Sequence, residues 1–135
     1  MSDAEARAAA VQTCLRGLLP EDVAALCVPV RDASRALYPE ERAAIARAVP
    51  HRQDEFSTGR MLARQALARI GHPPAAIPAD DRRRPVWPAD VVGSISHSSG
   101  LCAAAVAPGG RLRGLGLDIE RIGAVPDEIM AAISQ

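Results

Sequence analysis

Asp118 and Glu120 are separated by one residue in the stretch Gly-Leu-Asp-Ile-Glu-Arg. In an extended strand, residues two apart point the same way, so both carboxylates share one face, about 7 Å apart along the chain. Burying two such charges without a cation is costly. A hard divalent ion such as magnesium, which takes one or two carboxylates together with substrate phosphates, suits that pair. The plain alternative is a pair of solvated charges at a strand end. A second group is Ser96-His97-Ser98. Adjacency does not make it a nucleophile and base, because neighbouring strand residues face opposite ways and catalytic triads are assembled in space. His97 is better suited to hold a phosphate or relay a proton. The third group is made of arginines: Arg52, Arg60, Arg64 and the run Arg82-Arg83-Arg84. A guanidinium matches phosphate oxygens in a planar fork. Together the groups describe a magnesium-assisted site for a polyphosphate ligand, against the alternative of a solvated basic face.

The elements that must position these residues read as an α+β arrangement, helices packed on a small antiparallel sheet. Residues 3–19 carry Val11, Leu15, Leu18 and Leu19 at helical spacing, with Ser2 or Asp3 as cap and Pro20 as stop. Val23 to Val30 is a short apolar run and predicts a buried strand. Pro39-Glu40-Glu41 opens a helix from about Glu40 to Val49, ended by Pro50. His51 to Ile70 predicts the longest helix, closed by Gly71 and Pro73-Pro74. Its apolar side holds Phe56, Ala63, Ala66, Leu67 and Ile70. Gly59 lies there too, at a cost of about 1 kcal/mol against alanine, which suggests close approach by backbone or ligand. Arg60 and Arg64 lie one turn apart on one face.

From Pro73 to Pro88 the chain reads as a loop, with prolines flanking Trp87 and stiffening its path. Trp87 either plugs the core edge or stands beside the three arginines. Val91–Ser98, Gly100–Ala107 and Arg111–Ile119 predict a three-stranded antiparallel meander, with Pro108-Gly109-Gly110 as a turn. A further helix starts at Pro126-Asp127-Glu128 and runs into Gln135 after about two turns.

The 135 residues amount to one domain, and lysine is absent from them. A formal net charge of zero argues against nucleic-acid binding driven by bulk charge. Cys14, Cys27 and Cys102 are odd in number and widely spaced, with no Cys-x-x-Cys pair, which suggests free thiols in a reducing cytoplasm. The acidic first residues do not resemble a signal peptide, and no apolar run is long enough to span a membrane.

Four motifs in this order resemble the 4′-phosphopantetheinyl transferases of the surfactin-synthetase-activating type, particularly the enterobactin synthase component D branch. They are Phe56-x-x-Gly59-Arg60-x-x-Ala63-Arg64-x-Ala66-Leu67, Arg84-Pro85-x-Trp87-Pro88, Gly93-Ser-Ile-Ser-His97-Ser98 and Gly116-Leu-Asp118-Ile-Glu120. The resemblance covers about residues 52–122. It implies an α+β fold of two similar halves with the site between them. It implies transfer of the phosphopantetheine arm of coenzyme A to a serine of an apo carrier protein, in siderophore, nonribosomal peptide or polyketide synthesis. Arg60 and Arg84 are then expected to bind coenzyme A, with Ser96 and His97 at its 3′-phosphate. Asp118 and Glu120 are expected to serve catalysis by binding magnesium, Asp118 also lying against the cofactor. Arg52, Arg82 and Arg83 are weaker members of the coenzyme A set.

The family's later Lys-Glu-Ala-type helix motif has no counterpart here, so the resemblance casts residues 1–135 as an N-terminal half cut within a helix after 126. Little transferase activity is then expected of this chain alone. Two alternatives stand beside that reading. One is a coenzyme A- and magnesium-binding module without chemistry. The other is self-association, with Glu128 as the nearby acid that a neighbouring subunit would have to supply.

Overall fold

Ser2 opens the first helix: its hydroxyl accepts the backbone N–H of Glu5 at 3.1 Å, satisfying one of the free donors of the first turn. This helix, α1 (Asp3–Leu18), is followed by strand β1 (Ala24–Pro29), a 3₁₀ turn (Ser34–Ala36), α2 (Pro39–Ile45), α3 (Pro50–Arg69), and strands β2 (Val91–Ser98) and β3 (Leu101–Pro108). A computed structural model describes residues 2–109. The expected strand at 111–119, the helix from Pro126 and the pair Asp118/Glu120 lie outside the described residues.

Among the described residues, three helices pack on a three-stranded antiparallel sheet of order β1-β3-β2. The run Val23–Val30, read only as a buried strand, pairs with β3 as an edge of this sheet. β3 lies in the middle, and its apolar run is buried on both faces. Leu101, Ala103, Ala105 and Ala107 meet Val11 and Leu15 of α1. Cys102, Ala104 and Val106 meet Leu62, Ala66 and Leu67 of α3. The strand period of two sorts one sequence run into two cores, and alanines let both helices approach closely. Ser99 (φ 52°) and Gly100 (φ 80°) join β2 to β3. Two consecutive left-handed residues mark the mirror-type turn that matches strand twist.

α2 is shorter than its pattern suggests, ending at Ile45 and not Val49. Val49 precedes proline and is extended (ψ 155°), serving as the cap of α3. α3 is also buried well beyond a single apolar stripe. Its Ser57 hydroxyl accepts the N–H of Ala33 at 3.1 Å, and Thr58 Oγ1 accepts that of Arg31 at 3.0 Å while donating to the carbonyl of Arg31 at 2.7 Å. These hydroxyls tie the connection after β1 onto the helix.

Trp87 is half-buried against the α3-side core and lies over Gly93 of β2. A Cβ at position 93 would come within 2.6 Å of the indole, so the ring would have to move. Gly93→Ala is therefore expected to expel the ring and cost about 1–3 kcal/mol. Trp87 is the single tryptophan, so its emission should shift to the red as the urea midpoint falls. An unchanged emission maximum and midpoint would refute this packing.

Candidate functional site: an arginine-lined cleft beside α3

A cleft of about 550 Å³ opens between α3, the end of α2, the loop before β2, and β2 itself. α3 contributes Arg52, Phe56 and Arg60, which are four residues apart and so fall on one helix face. The loop contributes Arg83, and β2 contributes Ile95 and His97. Arg47, which the sequence motifs did not single out, adds another guanidinium from the segment after α2. Among the described residues Glu55 is the one carboxylate on the wall, and it stands 3.6 Å from His51.

Arg60 is the unusual member. It is 4% exposed. Its Nε donates to the carbonyl of Ile77 at 2.7 Å, and its guanidinium carbon stacks 4.1 Å from the centroid of Phe56. Its Nη2 is buried with no partner among the described residues. Burial pushes its pKa down to about 10, helped by Arg64 and opposed by Glu41, so it remains charged at neutral pH. A buried cation with an unspent donor on a cleft wall is a site prepared for an anion.

Arg64, one turn on, has a different fate. It pairs with Glu41 and donates to the carbonyl of Ala36. The expectation that Arg60 and Arg64 act together on a ligand is corrected: Glu41 holds Arg64 in a structural ion pair away from the cleft lining. Neither arginine forms a simple solvated face.

Gly59 explains the seat of His97. A Cβ there would fall 2.9 Å from Ile95 Cγ2 and 3.3 Å from His97 Nε2. The close approach expected at Gly59 is thus made by side chains of β2. Without that Cβ, His97 Nε2 reaches the carbonyl of Glu55 at 2.7 Å. A carbonyl can only accept, so Nε2 carries the proton and Nδ1 is the nitrogen that titrates. Burial lowers the ring's pKa below 6.5, opposed by the Glu55 carbonyl and carboxylate and reinforced by Arg60 and Arg52.

The remaining candidates are dispersed. Ser96 pairs with Ala103, whose side chain belongs to the α1-side core, so its register places it on the sheet face opposite His97. Arg82 and Arg84 share Arg83's loop but do not line the cleft; Arg84 Nε donates to Asp80 at 3.0 Å. Among the described residues, no group of three His, Cys, Asp or Glu side chains could hold a metal. The proposed metal ligands Asp118 and Glu120 lie outside those residues. Phe56 and Ile77 hold Arg60, and Asp80 bonds to Arg82 and Arg84 on either side of Arg83. Phe56 was legible only as an apolar position, while Asp80 carried a signal, an aspartate opening a polar turn.

A family model described as the 4′-phosphopantetheinyl transferase N-terminal domain matches residues 40–107, which include all four elements around the cleft. The chain belongs to the 4′-phosphopantetheinyl transferase family. It is 47% identical over 98 residues to 4′-phosphopantetheinyl transferase Svp of Streptomyces mobaraensis, covering 73% of this chain and 40% of that protein. It is 42% identical over 96 residues to the transferase PptT of Mycobacterium tuberculosis, covering 71% and 42%. Enterobactin synthase component D of Escherichia coli is 40% identical over 72 residues, covering 53% and 32%. The chain thus spans less than half the length of these relatives. A crystal structure of a holo-(acyl-carrier-protein) synthase from Bacillus anthracis, in complex with CoA (3′,5′-ADP), superposes with a TM-score of 0.54 at 21% identity, covering 64% of this chain and 94% of that one. That likeness supports the half-transferase fold.

Proposed function

We propose that the cleft binds the phosphates of coenzyme A, and that the protein serves transfer of 4′-phosphopantetheine from coenzyme A to a serine of an apo carrier protein. The observation that carries this is the buried, unpartnered Nη2 of Arg60 in a cleft shared with Arg52, Arg83 and His97. In the proposed reaction, the serine oxygen gives up its proton to solvent and attacks the β-phosphorus of the diphosphate. A new phosphodiester forms, the old phosphoanhydride bond breaks, and adenosine 3′,5′-bisphosphate leaves. The arginines would hold the phosphate oxygens and orient the bond to be broken. Magnesium, held by Asp118 and Glu120, would neutralise charge on the same oxygens. Carriers of siderophore, nonribosomal peptide or polyketide synthesis are the partner class that the family resemblance implies.

We place this activity in a reducing cytoplasm. Cys14, Cys27 and Cys102 are free thiols, and burial pushes Cys27 up to about 11 and Cys102 up to about 12. No helix among the described residues is long and apolar enough to cross a membrane.

Calorimetric titration with coenzyme A tests the binding, and the intact mass of an apo carrier incubated with coenzyme A and magnesium tests the transfer. Saturable binding is expected. Residues 1–135 by themselves are expected to transfer little, because the resemblance assigns a further acid and a lysine to a motif absent from this sequence. Absence of coenzyme A binding would overturn the assignment of the cleft. Robust modification of the carrier would overturn the expectation of low activity.

His97 supplies a prediction in pH. Its folded pKa lies below the unfolded value. The stability contributed by the neutral ring is therefore complete above 6.5 and is lost as pH falls through the folded value. Ring-proton resonances, assigned with His97→Gln, should titrate below 6.5 in the free protein. Coenzyme A should move that midpoint up, since an anion offsets Arg60 and Arg52. A midpoint unmoved by saturating coenzyme A would exclude His97 from the phosphate site.

A further inference from the structure

Arg83 is held with φ 64°, a left-handed conformation that L side chains other than glycine seldom adopt. Such a conformation persists only where its surroundings enforce it. Asp80 supplies the enforcement. Its Oδ1 accepts the backbone N–H groups of Arg82 at 2.8 Å and Arg84 at 2.9 Å, on either side of Arg83. Its Oδ2 accepts Arg84 Nε at 3.0 Å. The backbone closes the same ring: Asp80 N–H donates to the carbonyl of Arg84, and Arg83 N–H to that of Asp80, both at 2.9 Å. Ala79 and Pro85 bridge at the base of the turn, and Val86 N–H donates to Pro78 at 2.8 Å. Trp87 then anchors the loop over Gly93.

We infer that Asp80 is a positioning residue, whose carboxylate fixes the turn that sets Arg83 on the wall of the cleft. The inference rests on the coenzyme A reading of that cleft. It makes a prediction whose sign differs from that of simple electrostatics. Removing a negative charge beside an anion site should, by Coulomb attraction alone, tighten anion binding. If Asp80 acts through the turn, Asp80→Ala weakens it instead, because the oxygen that accepts both N–H groups vanishes and Arg83 leaves its left-handed geometry. Asp80→Asn keeps a carbonyl oxygen that can accept both N–H groups while losing the charge and the bond from Arg84 Nε. It should retain wild-type affinity or exceed it.

The experiment is a double-mutant cycle in coenzyme A affinity, read by calorimetry on the full 135-residue chain, with thermal melting alongside. Asp80→Ala and Arg83→Ala are each expected to weaken binding about tenfold. The double variant should be little weaker than either, since both remove the same contact. Melting temperatures should stay close to wild type, because the turn is exposed. Backbone chemical shifts of Arg83 should report left-handed φ in the wild type and in Asp80→Asn, and its loss in Asp80→Ala. That readout needs no ligand. If the wild type fails to bind coenzyme A, the reading of the cleft falls, and the shifts alone decide whether Asp80 fixes the turn. If the wild type binds while Asp80→Ala binds equally or more tightly, or if the two single losses add, the positioning role is overturned.

Discussion

Glu41→Ala is expected to lower stability by about 3–5 kcal/mol, the range for removing one partner of a buried ion pair. Glu41 is fully buried, and both its oxygens are committed. Oε1 accepts the N–H of Tyr38 at 2.8 Å at the start of α2. Oε2 accepts the N–H of Ile77 at 2.8 Å and the guanidinium of Arg64. One carboxylate therefore joins α2, α3 and the loop that leads to the cleft. Alanine leaves Arg64 without its acid, and the buried N–H of Ile77 and the partly buried N–H of Tyr38 without an acceptor. Arg64 keeps only the carbonyls of Ala36 and Ala75 and the face of Tyr38, 4.5 Å away. Most domains hold only about 5–15 kcal/mol in total. The melting temperature should fall by roughly 10–20 °C in circular dichroism. Glu41→Gln, which retains an acceptor and loses the charge, should fall by less. A shift of under about 5 °C for the alanine variant would contradict the network.

The same pair shows where sequence reasoning stops. Periodicity placed the long helix, and the proline at its start and the glycine after its end bounded it to within a residue or two. Alternation of side chains put Ser96 and His97 on opposite faces, and the register bears that out. Spacing alone could not tell Arg60 from Arg64, since both lie on one helix face. The difference is made by Glu41, far back in the chain, which the sequence offered only as a first-turn acid of a short helix. Long-range partners of this kind leave no local pattern. The Asp80 turn is intermediate: its ingredients, an aspartate opening a polar run, were in view, but the left-handed Arg83 became visible only with the backbone. Gly59 was legible as a close contact, but not what approached it. His97 and Ile95 come to Gly59, and Trp87 comes to Gly93.

Arg60→Met should separate binding from stability. The native state keeps a cation whose pKa burial has pushed down to about 10, a penalty on the order of 3 kcal/mol. That penalty applies throughout the range below pH 10 and fades above it, because a depressed base is disfavoured only while charged. Methionine fills a similar volume and removes the charge. It also abandons the Ile77 carbonyl and the stacking on Phe56, which together cost about 1–3 kcal/mol. The two effects nearly cancel, so the melting temperature of Arg60→Met should match or exceed that of the wild type. Coenzyme A affinity should fall by about a hundredfold, the usual result of removing a desolvated charge from an anion contact. Measured side by side, Glu41→Ala and Arg60→Met probe positions tied to adjacent turns of α3. The first should destabilise the protein, and the second should disarm it intact. A large loss of stability in Arg60→Met would make Arg60 a second structural arginine like Arg64. Undiminished coenzyme A binding would take away the observation on which the function rests.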